Sequence, residues 1–189
     1  MKFTNGYWLT KPEFRMLFAT QCVRASQEGR ELVLLAAGCP VRHRGDVLAG
    51  GALEVRFSAP RANIIRVRIT HFAGAADPGP HFSTLEENFS PEIRITEDQA
   101  TLCSGDLTVR VLRTEGRWQV DYLDRNGRIL TSSGFRGMAR ALLEEDGPAS
   151  LEKHGKSYMI DSLDLGVGET VYGLGERFEI GRASCRERV

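Results

Sequence analysis

Apolar and polar residues alternate through the middle of the chain. Leu53, Val55 and Phe57 alternate with Glu54, Arg56 and Ser58, and Ile65, Val67 and Ile69 with Arg66, Arg68 and Thr70. A period of two puts one set on a buried face and the other in water, so both runs are expected as half-buried strands with arginine outside. Pro60 and Asn63 supply the turn between them. Residues 92–96, 99–103 and 107–114 follow at hairpin spacing. Glu115 and Gly116 turn the chain into Trp118, Val120 and Tyr122. Asn126-Gly127 then predicts a type I′ hairpin turn, because both residues tolerate positive φ. Ile129 and Leu130 begin the return strand. Upstream, residues 14–25 and 31–36 read as two strands joined across Gln27, Glu28 and Gly29. Tyr7, Trp8 and Leu9 form an aromatic cluster expected to pack the first strand onto the body. Residues 37–51 and 73–80 are Gly- and Pro-rich loops.

The period changes at 138–145 (MARALLEE). Its strong helix formers predict one short helix, stopped by Gly147-Pro148. Strand character returns at 158–165. Ten or so short strands with little helix give an all-β fold in the main, an antiparallel β-sandwich. No internal repeat is evident.

Composition narrows the function classes. Lys plus Arg equals Asp plus Glu at 25 each, so no net field favours nucleic acid or an anionic membrane. The arginines outnumber lysines 21 to 4 but are scattered, which reads as codon bias in a GC-rich, bacterial genome. No apolar run has the length of a membrane span, and MKFTNGYWLTKPEF lacks the apolar core of a signal peptide. Cys22, Cys39, Cys103 and Cys185 have neither CxxC nor regular spacing, so no metal site or disulfide framework is indicated, and a cytoplasmic location is expected.

The densest local pattern is residues 163–178, LDLGVGETVYGLGERF. Gly166 and Gly168 punctuate its entry and Gly173 and Gly175 its exit, as structural turn positions. Between them Glu169, Thr170, Val171 and Tyr172 form a β-prone run, expected as a strand. A dinucleotide fingerprint would need glycine at 171, where Val171 stands, and no phosphate loop, GxSxG or HExxH occurs. His43, His71, His81 and His154 have no metal spacing. His71, at a strand end, and His81, after a Gly-Pro turn, are candidates for a base facing a cleft. Glu176 beside Arg177 is the most suggestive acidic position, at the end of the glycine-bounded run.

At this motif the chain resembles glycoside hydrolase family 31 and, within it, the bacterial α-xylosidases. Supporting stretches are GYWL (6–9), LEVRFSAPRANIIRVRITHFAG (53–74), GPHF (79–82) and SGDLTVRV (104–111). Residues 135–157 fit less well and look like a variable insertion. The resemblance implies that 1–178 is an N-terminal, galactose-mutarotase-like β-sandwich. In the family it packs on a (β/α)₈ barrel that holds both catalytic aspartates of a retaining α-glycosidase, two carboxylates about 5 Å apart. No such barrel lies in this sequence, so no residue here takes a catalytic role, no cofactor or metal is expected, and the chain by itself is expected to be inactive. Glu176, Arg177 and Phe178 become the approach to the barrel's substrate pocket. The implied partners are that barrel, an α-linked oligosaccharide bound by the intact enzyme, and further copies in a homo-oligomer. Residues 179–189 (EIGRASCRERV) match the translation of a sequencing adapter and are expected to be a non-native tail. Two other classes stay open: a stand-alone carbohydrate-binding or interaction sandwich, and a mutarotase-like epimerase, which would need His71 or His81 against a buried carboxylate.

Overall fold

The computed structural model describes residues 3–4, 9–46, 50–71, 89–114, 116–143, 157–170 and 172. Among them β1 (Phe14–Phe18) pairs with β11 (Met138–Leu143), which pairs with β12 (Ser157–Asp161), in a three-stranded sheet. The strands β2 (Gln21–Glu28), β3 (Glu31–Ala37), β4 (Ala52–Ser58) and β5 (Arg66–Thr70) form a four-stranded meander. A five-stranded meander follows, of β6 (Glu92–Ile95), β7 (Gln99–Ser104), β8 (Leu107–Leu112), β9 (Val120–Leu123) and β10 (Ile129–Ser133). All pairings are antiparallel.

The alternation explains the register. Leu32 lies opposite Phe57, Leu34 opposite Val55 and Ala36 opposite Leu53, and all six are buried. On the five-stranded sheet Ala100 opposes Val111 and Leu102 opposes Val109, again buried. These two apolar faces belong to one core cluster, which also takes in Trp118 and Met138. Two antiparallel sheets face to face over such a core make a β-sandwich. Each fully buried Leu, Val or Phe contributes about 1.5–3 kcal/mol of transfer free energy, so the core dominates stability. On the wet face Arg56 reaches Glu54, Glu31 and Glu28 at 2.6, 3.0 and 2.9 Å. Such solvated pairs are typically worth about 1 kcal/mol or less each.

Three expectations are corrected. Met138–Leu143, expected as helix, is strand β11. Its residues favour helix by only a few tenths of a kcal/mol each, roughly. Here both backbone edges are paired, to β1 and β12, while Met138, Ala139 and Ala141 are buried. Tertiary pairing therefore overrides local preference. Next, the expected strand 14–25 is two strands. The Ala19 amide donates to the Met138 carbonyl (2.9 Å), and the Thr20 amide and hydroxyl donate to the Ala37 carbonyl (2.9 and 2.8 Å). The chain thus leaves one sheet and joins another at these two residues. Finally, the Asn126-Gly127 turn is not type I′: Gly127 has φ +78° but Asn126 does not have positive φ. Asp124 closes a three-residue loop instead, with its carboxylate accepting from the Asn126 and Arg128 amides, both at 2.9 Å.

One clamp ties the β4–β5 turn to the β7–β8 turn. The Ser104 hydroxyl, fully buried, donates toward the Arg61 and Ile64 carbonyls (3.0 and 3.2 Å), and the Asn63 amide donates to the Ser104 carbonyl at 3.0 Å. The Asp106 amide donates to Asn63 Oδ1 at 2.6 Å. Gly105, at φ +63°, has no room for a Cβ, which would collide with that same oxygen. Gly105→Ala is therefore expected to cost about 2–3 kcal/mol, from left-handed strain plus a displaced hydrogen bond. A urea melt checks it: an unchanged midpoint would remove the clamp from the account.

Candidate functional site

After β12 the chain runs along the open edge of the five-stranded sheet. The Ser162 amide donates to the Gly137 carbonyl and the Asp164 amide to the Ser132 carbonyl, each at 2.8 Å. The Thr131 hydroxyl donates to the Asp164 carbonyl, also at 2.8 Å. These bonds cover part of the β10 edge, which would otherwise offer free backbone groups. A turn follows. The Glu169 amide donates to the Gly166 carbonyl (3.1 Å), the Glu169 carboxylate accepts from the Gly166 amide (2.7 Å), and Gly168 sits at φ +82°. The expected strand over Glu169–Tyr172 is not seen in the described residues: Glu169 and Thr170 belong to no strand, nor does Tyr172. The physical reason is that the Glu169 carboxylate closes the turn on its own backbone.

The chemistry of this stretch is apolar. Leu163 and Leu165 are half exposed, Val167 fully exposed and Tyr172 86% exposed. Beside them Ile129 and Leu130 of β10 are 50% and 45% exposed. Large apolar side chains are thus exposed both along this segment and on the neighbouring strand. Gly173, Gly175, Glu176, Arg177 and Phe178, like residues 179–189, lie outside the described residues.

Strands β8, β9 and β10 also carry a polar network that alternation does not reveal. Asp121 is buried between Val120 and Tyr122 on β9. Its carboxylate accepts from Arg110 Nη2 (2.7 Å), Gln119 Nε2 (2.6 Å) and Ser132 Oγ (2.8 Å). Burial pushes this carboxyl upward, but the three donors and the Arg110 charge together hold it below the usual carboxylate range. Asp161, which accepts from Ser133 Oγ at 3.0 Å, goes the other way: desolvation raises it and the Ser133 bond offsets only part. Burial and the Asp161 charge in turn push Tyr122 up. Ser132 and Ser133 of β10 thus each donate to a carboxylate, the first to buried Asp121 and the second to exposed Asp161.

The other candidates separate. His71 follows β5, and burial, then the Arg140 charge, lowers its pKa. Its charged neighbour is a cation, so the His–carboxylate pair an epimerase needs is not assembled at His71 among the described residues. His81 and His154 lie outside them, as do Tyr7, Trp8 and Cys185. His43 bonds the Gly45 amide and Asp46 on an exposed loop. Among the described residues no three His, Cys, Asp or Glu side chains group as metal ligands. No helix of the described residues is long and apolar enough to cross a membrane.

A sandwich whose C-terminal segment presents an uncovered apolar run has identifiable relatives. The model for the glycosyl hydrolase 31 N-terminal galactose mutarotase-like domain matches residues 54–180. The chain belongs to that family. This family 31 domain is 33% identical over 183 residues to alpha-xylosidase XylQ of Lactiplantibacillus pentosus, covering 94% of this chain and 22% of the relative. It is 32% identical over 190 residues to an alpha-xylosidase of Emericella nidulans, covering 94% and 24%. The chain thus spans less than a quarter of the length of these relatives. Among solved structures, the cycloalternan-forming enzyme of Listeria monocytogenes, in complex with a pentasaccharide substrate, overlaps with a TM-score of 0.50 at 10% identity. That overlap covers 68% of this chain and 11% of the other, and shows shared fold alone. The sandwich, its family and its α-xylosidase homologues agree with the resemblance carried by the 163–178 motif.

Proposed function

We propose that this chain is the N-terminal sandwich of an α-xylosidase and that it packs on a catalytic barrel through the Leu163–Tyr172 face. The observation that carries the reading is that face: an apolar run tied along β10 by the Asp164 bonds, yet itself uncovered. Its direction adds support, since the run leads the chain into Glu176, Arg177 and Phe178, the proposed approach to the substrate pocket. The reaction proposed for the whole enzyme is retaining hydrolysis of α-xylosides by two barrel carboxylates. The sandwich contributes binding surface and wall, not the acid or the nucleophile. Cys22, Cys39 and Cys103 are free thiols, which suits the reducing, cytoplasmic setting proposed here.

Activity tests the division of labour. The purified chain is expected to release no chromophore from a chromogenic α-xyloside; release above a blank would overturn the reading. Solution state tests the face. The chain is expected to self-associate, and Leu165→Asp with Val167→Asp to shift it toward monomer in sedimentation velocity. A wild-type chain that stays monodisperse and highly soluble would count against an interface here.

A further inference from the structure

A second feature stands apart from the docking face and does not depend on it. A cleft of about 420 Å³ opens between the β1–β2 bend and the turn that precedes β11. Phe18, Thr20, Arg117, Trp118, Phe135 and Arg136 are among its lining residues. This volume is in the range of small-molecule sites, about 300–1,000 Å³.

The turn is built to hold two side chains outward. The Gly137 amide donates to the Gly134 carbonyl at 2.9 Å, and Arg136 is held at φ +61°, a region non-glycine residues seldom occupy. Strain of this kind is stored where a side chain must be aimed. Phe135 is 86% exposed, unusual for so large an apolar ring. The Arg136 guanidinium lies over two rings, 5.3 Å from the Phe18 centroid and 5.1 Å from that of Phe135. Stacking uses its faces and leaves its edge donors available for a planar acceptor. Neither Arg136 nor the exposed Arg117 side chain makes an ion pair or hydrogen bond within the described residues. In the wall, Trp118 is 3% exposed and its indole N–H lacks an acceptor.

Two unpaired guanidiniums, flat aromatic faces and no carboxylate among the described lining residues define the ligand's chemistry. It should carry an anionic carboxylate for the guanidinium fork and a ring with an apolar face to lie on phenylalanine. We propose that this cleft binds a sugar acid, a pyranose bearing a carboxylate.

Trp118 provides the readout. The chain has two tryptophans, so Trp8→Phe isolates its emission. Titration with glucuronic acid is expected to give a saturable change. Xylose, which has the ring without the charge, should bind about tenfold more weakly, and Arg117→Ala/Arg136→Ala should cost glucuronic acid about tenfold or more. Both arginines are exposed, so circular dichroism of that variant should match the parent. Saturation-transfer NMR on the unaltered chain reads the same binding without Trp8→Phe. No saturable response, a response kept by the double-arginine variant, or inorganic phosphate binding as well as glucuronic acid would each overturn the proposal.

Discussion

Phe57→Ala is expected to remove about 3–5 kcal/mol from the unfolding free energy. Phe57 is fully buried on β4, pairs across the ladder with Leu32, and belongs to the cluster that joins the two large sheets. Alanine would lose the transfer free energy of the ring and leave a cavity that two rigid sheets cannot easily close. A domain of ordinary stability has only about 5–15 kcal/mol to lose, so the variant should melt at much lower urea concentration or fail to fold. Phe57→Leu, which keeps most of the volume, should recover the larger part. Equal urea midpoints for Phe57→Ala and wild type would mean that the sheets do not meet at this residue.

Asp121→Ala is expected to be nearly as damaging, at about 2–4 kcal/mol, for the opposite physical reason. It leaves the donors of Arg110, Gln119 and Ser132 without their acceptor, and Arg110 already has a buried Nε without a partner. Arg110 keeps some contact with water, its side chain being 31% exposed, which holds the cost below that of a fully buried orphan charge. The effect has a pH signature. The folded Asp121 carboxyl titrates below its unfolded value, near 3.9, so its stabilisation is full above that pH and is lost as pH falls through the lower, folded value. The gap between wild type and Asp121→Asn should therefore be constant near neutrality and narrow below about pH 4. Asp161, whose folded pKa is raised, has the reverse sign: its ionised form weakens the fold at neutral pH, and that penalty disappears as pH falls through its folded value. Urea melts of Asp121→Asn and Asp161→Asn across pH separate the two. A gap for Asp121→Asn that widened in acid would contradict the network.

These residues mark where the sequence was legible. Strands β4 and β5 follow from strict alternation because one face of each meets the core and the other meets water or side-chain polar groups, while β7 and β8 follow from hairpin spacing. Asp121 breaks that logic. It occupies an outward position between Val120 and Tyr122, yet it is buried among the side chains of Arg110 on β8, Gln119 and Ser132 on β10. The alternation does not announce that covering, since it comes largely from side chains of the neighbouring strands β8 and β10. Met138–Leu143 fails for a similar reason: only the distant partners β1 and β12 make it a strand. In the 163–178 stretch the glycines pointed to a turn, and Gly168 does sit at positive φ. The β-prone run did not become a strand, because Glu169 is committed to the Gly166 amide. The uncovered apolar side chains of that stretch could be named from the sequence, but their exposure could not.

The most direct test of the central claim lies in the source gene. If this sandwich is the N-terminal part of an α-xylosidase, the reading frame past codon 178 continues for at least the roughly 250 residues of a (β/α)₈ barrel and includes strand-borne aspartates. A genuine stop codon at that point would contradict the account.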